Sequence, residues 1–171
     1  LEFRRVLFRS IPFLYIADGH HRSAAAGRVF KSRAGAGHSG RFLTVIFPHN
    51  QMQILPYNRV LKDLNGRTAD QLLAALDTVF VRRACTSPRP GKKHELGLYL
   101  AGVWHSLEFR ESFTRTHDPI ERLDVTLLQK FVLEPIFGID DPRTSKRINF
   151  VGGIRGTPEL EKLVKGGEYA C

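Results

Sequence analysis

The sequence predicts an α+β fold, a mixed sheet with flanking helices, on three observations. Short apolar runs rich in β-branched and aromatic residues alternate with Ala- and Leu-rich runs of helical spacing. Turns containing Gly or Pro separate most of these runs. No internal repeat or long disordered tract interrupts the 171 residues, enough for one compact domain with a real core.

The elements follow in order. Residues 11–17, IPFLYIA, form a short apolar run closed by Gly19 and read as a buried strand; the Ala-rich 23–30 run reads as a helix. Residues 33–40 hold Gly35, Gly37 and Gly40 and read as a flexible loop. Residues 42–47 have strand composition, Pro48, His49 and Asn50 suit a turn, and 51–55 alternate, so a hairpin is expected. Residues 56–59 follow as a bend, with Asn58 and Arg59 facing a ligand or the surface. Thr68 is a good N-cap for a helix whose apolar face carries Leu72, Leu73, Leu76 and Phe80. A strand is expected from Phe80, then a basic surface loop over 86–94 without the aromatic interleaving that stacks bases. Residues 96–100 and 103–109 flank Ala101-Gly102 as the clearest hairpin, with Trp104 turned to the core. Residues 123–137 read as an apolar helix ended or kinked by Pro135. After a polar turn over 139–147, residues 148–151 read as a strand and 152–156 as a Gly-rich turn. Thr157 and Pro158 suit the cap and first position of a last helix through Val164, which Gly166-Gly167 ends.

The chemistry concentrates at Asp18, Gly19, His20, His21 and Arg22, on the expected strand-to-helix turn. A helix N-terminus presents unpaired N–H groups and partial positive charge, and so attracts anions. Arg22 adds a fork suited to phosphate, and Gly19 permits a tight turn and close approach. The pattern therefore reads as a phosphate-binding turn. The structural alternative makes Asp18 an N-cap, the histidines surface residues and Arg22 a solvated helix charge. Adjacent histidines point in different directions, so no metal site is assigned to them. Two further segments are candidates. Asp140 and Asp141 suit a hydrated Mg²⁺, with Arg143, Lys146 and Arg147 for phosphate, or else form an ordinary turn with ion pairs. Arg155 lies in the second strand–Gly-rich turn–helix sequence, which lacks the Gly-Lys-Ser/Thr ending of a P-loop.

The string IADGHHR before an Ala-rich helix resembles the signature of the ParB/sulfiredoxin-like superfamily, whose members carry Gly-x-His-Arg loops at a nucleotide-phosphate site. More closely, the chain resembles the prokaryotic family called domain of unknown function 1015. That resemblance rests on YIADGHHR, FPHNQMQILPYNRVLKDLNG, PIERLDVTLLQKFVLEPIFGIDDPRTSKRINFVGG and ELEKLVKGGEYA, nearly everything from Ile11 onward. It implies a ParB/sulfiredoxin-like fold and residues 11–171 as a fragment of one α+β domain in a longer protein. It also implies a nucleotide such as ATP, ADP or CTP, with Mg²⁺, as cofactor. By similarity to the superfamily's free-serine kinase, Asp18 would assist metal or substrate, His20 and His21 would contact phosphates and Arg22 would neutralise developing charge. The reaction would then be phosphoryl transfer to a small hydroxyl-bearing metabolite. By similarity to the partition protein, the same loop would serve a non-catalytic nucleotide switch or adaptor. Sulfiredoxin chemistry needs a Cys where His20 stands.

Residues 1–10, LEFRRVLFRS, read as a translated sequencing adapter. The net charge is +9, and without those ten residues 23 basic and 16 acidic side chains leave +7, which favours a small anionic ligand. No helix-turn-helix pattern points to nucleic acid. Two cysteines cannot build a disulfide framework, no zinc spacing appears, and no apolar run approaches the length of a membrane span, so the cytoplasm is the expected location.

Overall fold

The computed structural model describes residues 11–85 and 87–171. The expected adapter stretch, 1–10, lies outside the described residues. The chain divides into two compact units, Leu1–Met52 and Gln53–Cys171. Helices and antiparallel sheets together make it an α+β protein.

Among the described residues, the first unit contains one α-helix, α1 (His20–Ser32), at the expected place. The strands expected at 11–17 and 42–47 do not form, and neither does the one at 51–55, so there is no hairpin there; His49–Gln51 is a short 3₁₀ turn. A strand exists only through a ladder partner, and these runs have none among the described residues. Pro12, Pro48 and Pro56 also withhold backbone donors. Tyr15, Leu43 and Val45 consequently stand 84–93% exposed.

The second unit carries the core. Its helices are α2 (Ala69–Leu76), α3 (Glu111–Thr114), α4 (Asp124–Leu128) and α5 (Gly156–Lys165). Its strands are β1 (Tyr57–Leu61), β2 (Phe80–Ala84), β3 (Glu95–Leu100), β4 (Val103–Phe109) and β5 (Ile148–Gly152). The start of α2 follows directly from sequence. The Thr68 hydroxyl accepts from the Gln71 N–H at 3.2 Å, and the Gln71 side chain accepts from the Thr68 N–H at 2.9 Å. Leu72 and Leu76, one turn apart, then enter the core together.

All strand pairings are antiparallel among the described residues: β2–β4–β3 in one sheet and β1–β5 in the other. The expected bend at 56–59 runs instead into strand β1, which pairs Tyr57 with Gly152, Arg59 with Phe150 and Leu61 with Ile148. Neighbouring side chains along β1 point to opposite faces. Leu61 joins the main core with Leu72, Phe80, Leu107, Leu133 and Ile148, whereas Val60 joins a second cluster with Val151, Leu160 and Tyr169. Trp104 packs on that second cluster, 5.1 Å from the Tyr99 ring, and donates its indole N–H to Glu161 of α5 at 2.9 Å.

The helix expected over 123–137 is not one regular helix. It begins as α4 and widens into a π turn at Gln129–Leu133. Pro135 has no N–H, and its ring crowds the carbonyl four residues back; the Glu134 N–H bonds the Gln129 carbonyl, five residues back, at 3.1 Å. Gly138, at φ 65°, closes the segment. The start of α5 also differs from expectation. A 3₁₀ turn, Gly153–Arg155, leads straight into it, so Arg155 occupies the cap position and Thr157 lies inside the helix.

A polar cluster ties β1 to β5. The Arg147 guanidinium grips the Asp63 carboxylate in a two-pronged pair, with Nε to Oδ2 at 2.8 Å, and also reaches Asn65. The Asn65 amide donates to the Ile136 carbonyl at 3.1 Å. Hydrogen bonding from Arg147 holds the Asp63 carboxyl down at about 2. A lowered folded-state pKa stabilises above the unfolded value and is lost as pH falls through the folded one. Because the pair is partly exposed, solvent screening limits its contribution to about 1 kcal/mol or less. Urea midpoints should therefore fall between about pH 4 and pH 2, and Asp63→Asn should flatten that fall. A second prediction concerns Cys171, whose thiol is pushed up to about 12 by burial. It should resist a thiol reagent at pH 8 in the folded chain and react once urea unfolds it.

Candidate functional site

The 18–22 turn is built by one glycine. Gly19 adopts φ 79°, ψ 27°, the left-handed region, and α1 begins at the next residue. The Asp18 carboxylate Oδ1 accepts the Gly19 N–H at 2.7 Å, so Asp18 shapes the turn; the N-cap position belongs to Gly19, and no side chain caps the helix. The first helical bond runs from the Ser23 N–H to the Gly19 carbonyl at 2.9 Å. The N–H groups of His20, His21 and Arg22 precede that bond and have no protein acceptor among the described residues. No acidic residue lies in the first turn. The Arg22 guanidinium folds back against Gly19: a methyl group there would sit 3.6 Å from Nη2. Asp18, His20, His21 and Arg22 are all exposed.

The turn thus brings Gly19 and Arg22 together under three free backbone donors. Arg143 and Arg155 belong to the second unit. Arg143 closes a local two-pronged pair on Asp141, at 2.9 and 3.0 Å. Hydrogen bonding holds the Asp141 carboxyl below its usual range and raises the guanidinium. Arg155 lies 3.7 Å from Glu159, one helical turn on, and is exposed. Arg147 is taken by Asp63, so the polar turn at 139–147 spends much of its charge on ion pairs. No group of three or more His, Cys, Asp or Glu side chains suited to a metal ion occurs among the described residues. No helix there is long and apolar enough to cross a membrane.

Two arrangements stand apart from the 18–22, 139–147 and 152–156 segments. His94, at φ 65°, receives support from Asp124: the carboxylate lies 2.8 Å from Nδ1 and accepts the His94 backbone N–H at 3.2 Å. Only the fold pairs these residues, and no local pattern announces them. The second is Arg59, placed on β1 beside Phe150 of β5. Its guanidinium lies 5.9 and 5.6 Å from the centroids of the Tyr57 and Phe150 rings, which are stacked at 5.0 Å. Burial lowers its pKa below the ordinary arginine value. The PYNRV string gave a bend with a ligand-facing arginine as one reading; the ladder that buries it was not visible locally.

Comparison with known proteins gives one match. The family model described as "Protein of unknown function (DUF1015)" matches residues 4–126, which include the whole 18–22 turn. No curated protein and no solved structure matches the chain.

The Asp124 carboxylate should hold the loop before β3 against the start of α4. Asp124→Ala leaves the half-buried His94 donors unpaired and should destabilise the chain by about 1–3 kcal/mol in urea unfolding. Asp124→Asn keeps an acceptor oxygen and should recover part of that loss.

Proposed function

We propose that this chain, which belongs to the DUF1015 family, binds the phosphate group of a small ligand, a nucleotide first among them, at the 18–22 turn. One observation carries the reading: three N–H groups at the start of α1, without an acceptor among the described residues, share a turn with Arg22, with no acid in the first helical turn to neutralise them. Phosphate oxygens match both donor types, and the left-handed backbone of Gly19, at φ 79°, sets the Arg22 side chain and the first helical N–H groups on one bend. His20 and His21 stand beside the donors and add two imidazoles without a fixed protein partner among the described residues. The resemblance to ParB/sulfiredoxin-like loops supports the same assignment, with ATP, ADP or CTP as candidate ligands. Mg²⁺ would arrive with the nucleotide, and the Asp18 carboxylate of the same turn would assist it.

Calorimetric titration of the chain with ATP, ADP and CTP, with and without Mg²⁺, tests this reading. Arg22→Ala should weaken binding by about 1.5–3 kcal/mol, roughly ten- to a hundredfold. Arg22→Lys should restore only part, because a point charge does not replace the fork. Asp18→Asn keeps the acceptor for Gly19 and should leave Mg²⁺-free affinity nearly unchanged. Unaltered affinity in a folded Arg22→Ala chain removes the phosphate-turn assignment.

A further inference from the structure

We propose that the second unit binds a small amphipathic carboxylate, with its head on Arg59 and its apolar body in the cavity that Arg59 borders. The cavity holds about 610 Å³, the size of a small-molecule site, and lies wholly within that unit. Its apolar wall includes Leu61, Leu96, Leu107, Leu128 and Leu133, from β1, β3, β4 and the α4 segment. Two glycines bring loops in around it. The Pro56 carbonyl oxygen lies 2.4 Å from where a Cβ on Gly153 would stand, and the Pro88 carbonyl oxygen 2.5 Å from a Cβ on Gly97. Both prolines line the cavity, so both approaches need a residue without a side chain.

Arg59 presents the anion-binding edge. Its Nη1 donates to the Tyr57 carbonyl at 3.0 Å. Its Nε is buried, and among the described residues neither Nε nor Nη2 has a hydrogen-bond partner. No carboxylate lies within ion-pair distance of it among those residues. Nε is enclosed by protein, so Nη2 is the donor left to a carboxylate oxygen, on a guanidinium that no anion neutralises among the described residues. Of the other charged groups lining the cavity, Glu95 is engaged by Ser106 and the Gly91 N–H, Asp124 by His94 and Lys92 by Glu108, while the Arg89 guanidinium has no side-chain partner among the described residues. With Arg59, Arg89 and Lys92 set against Glu95 and Asp124, the lining carries one net positive charge, which a ligand with one negative charge balances and a phosphomonoester with two exceeds.

Trp104 is the only tryptophan of the chain and lines this cavity, so its emission reports on occupancy. The full chain is titrated at pH 7 with octanoate, octyl phosphate and 1-octanol. Octanoate should saturate and bind tighter than either of the others. Arg59→Met, which keeps the apolar stem, should weaken octanoate about tenfold and leave octanol unchanged. Arg59→Lys should give an intermediate loss, and decides the matter should the Met variant not fold. Leu96→Phe narrows the cavity and should move the preference from octanoate toward hexanoate. Four results overturn the proposal: no saturable octanoate signal, equal affinity for octanol, tighter binding of octyl phosphate, or octanoate affinity independent of Arg59 in a folded variant. Binding here is separate from the Arg22 turn, because Arg22→Ala should leave octanoate affinity unchanged.

Discussion

The β1–β5 ladder is the constraint on which the second unit depends. It joins segments distant in the chain and buries side chains on both faces. Leu61 and Ile148 complete the main core on one side, and Val60 and Val151 seat α5 through Leu160 on the other. A ribbon of two strands is marginal by itself, and apolar packing on both faces supplies what the pairing lacks. The ladder also fixes the chain after Tyr169: the Leu61 N–H donates to the Cys171 carbonyl and the Ala170 N–H to the Leu61 carbonyl, at 2.8 and 2.7 Å. The Asp63–Arg147 pair then ties the ends of the two strands together where the ladder stops.

The same ladder sets the chemistry. Period-two alternation puts Arg59 on the face of Leu61, so the register that completes the core also carries a guanidinium to its edge. Several charges pair close to where the chain puts them, as Arg143 does with Asp141 and Lys165 with Glu161. Arg59 and Arg22 have no carboxylate partner among the described residues. Arg22 shares its turn with backbone donors that also lack an acceptor there, and Arg59 borders a cavity. They reach that state by opposite routes, Arg22 by a local turn at Gly19 and Arg59 by long-range pairing.

That difference explains what was legible. The α1 helix, the Thr68 N-cap and the 96–109 hairpin rest on residues within one turn or one loop of each other, and the sequence reads them correctly. The strands expected at 11–17 and 42–47 had the right composition, yet composition describes a side chain's fit to a sheet and supplies no neighbour. Residues 56–59 show the reverse: punctuated by Pro56 and Asn58, they read as a bend, and β5 made them a strand. Pro135 announced a break, but the form of that break, a π turn closed by Gly138, came from the hydrogen bonds left after its N–H was lost.

By itself the sequence determined the α+β class, the family and the composition of the 18–22 turn, because each resides in local propensity or in a contiguous string. The tertiary structure alone decided which apolar runs became strands, which acids met which bases, and that Arg59 faces a cavity with its Nε unpaired. Those outcomes depend on contacts between residues far apart in the chain, and no local pattern encodes the partner.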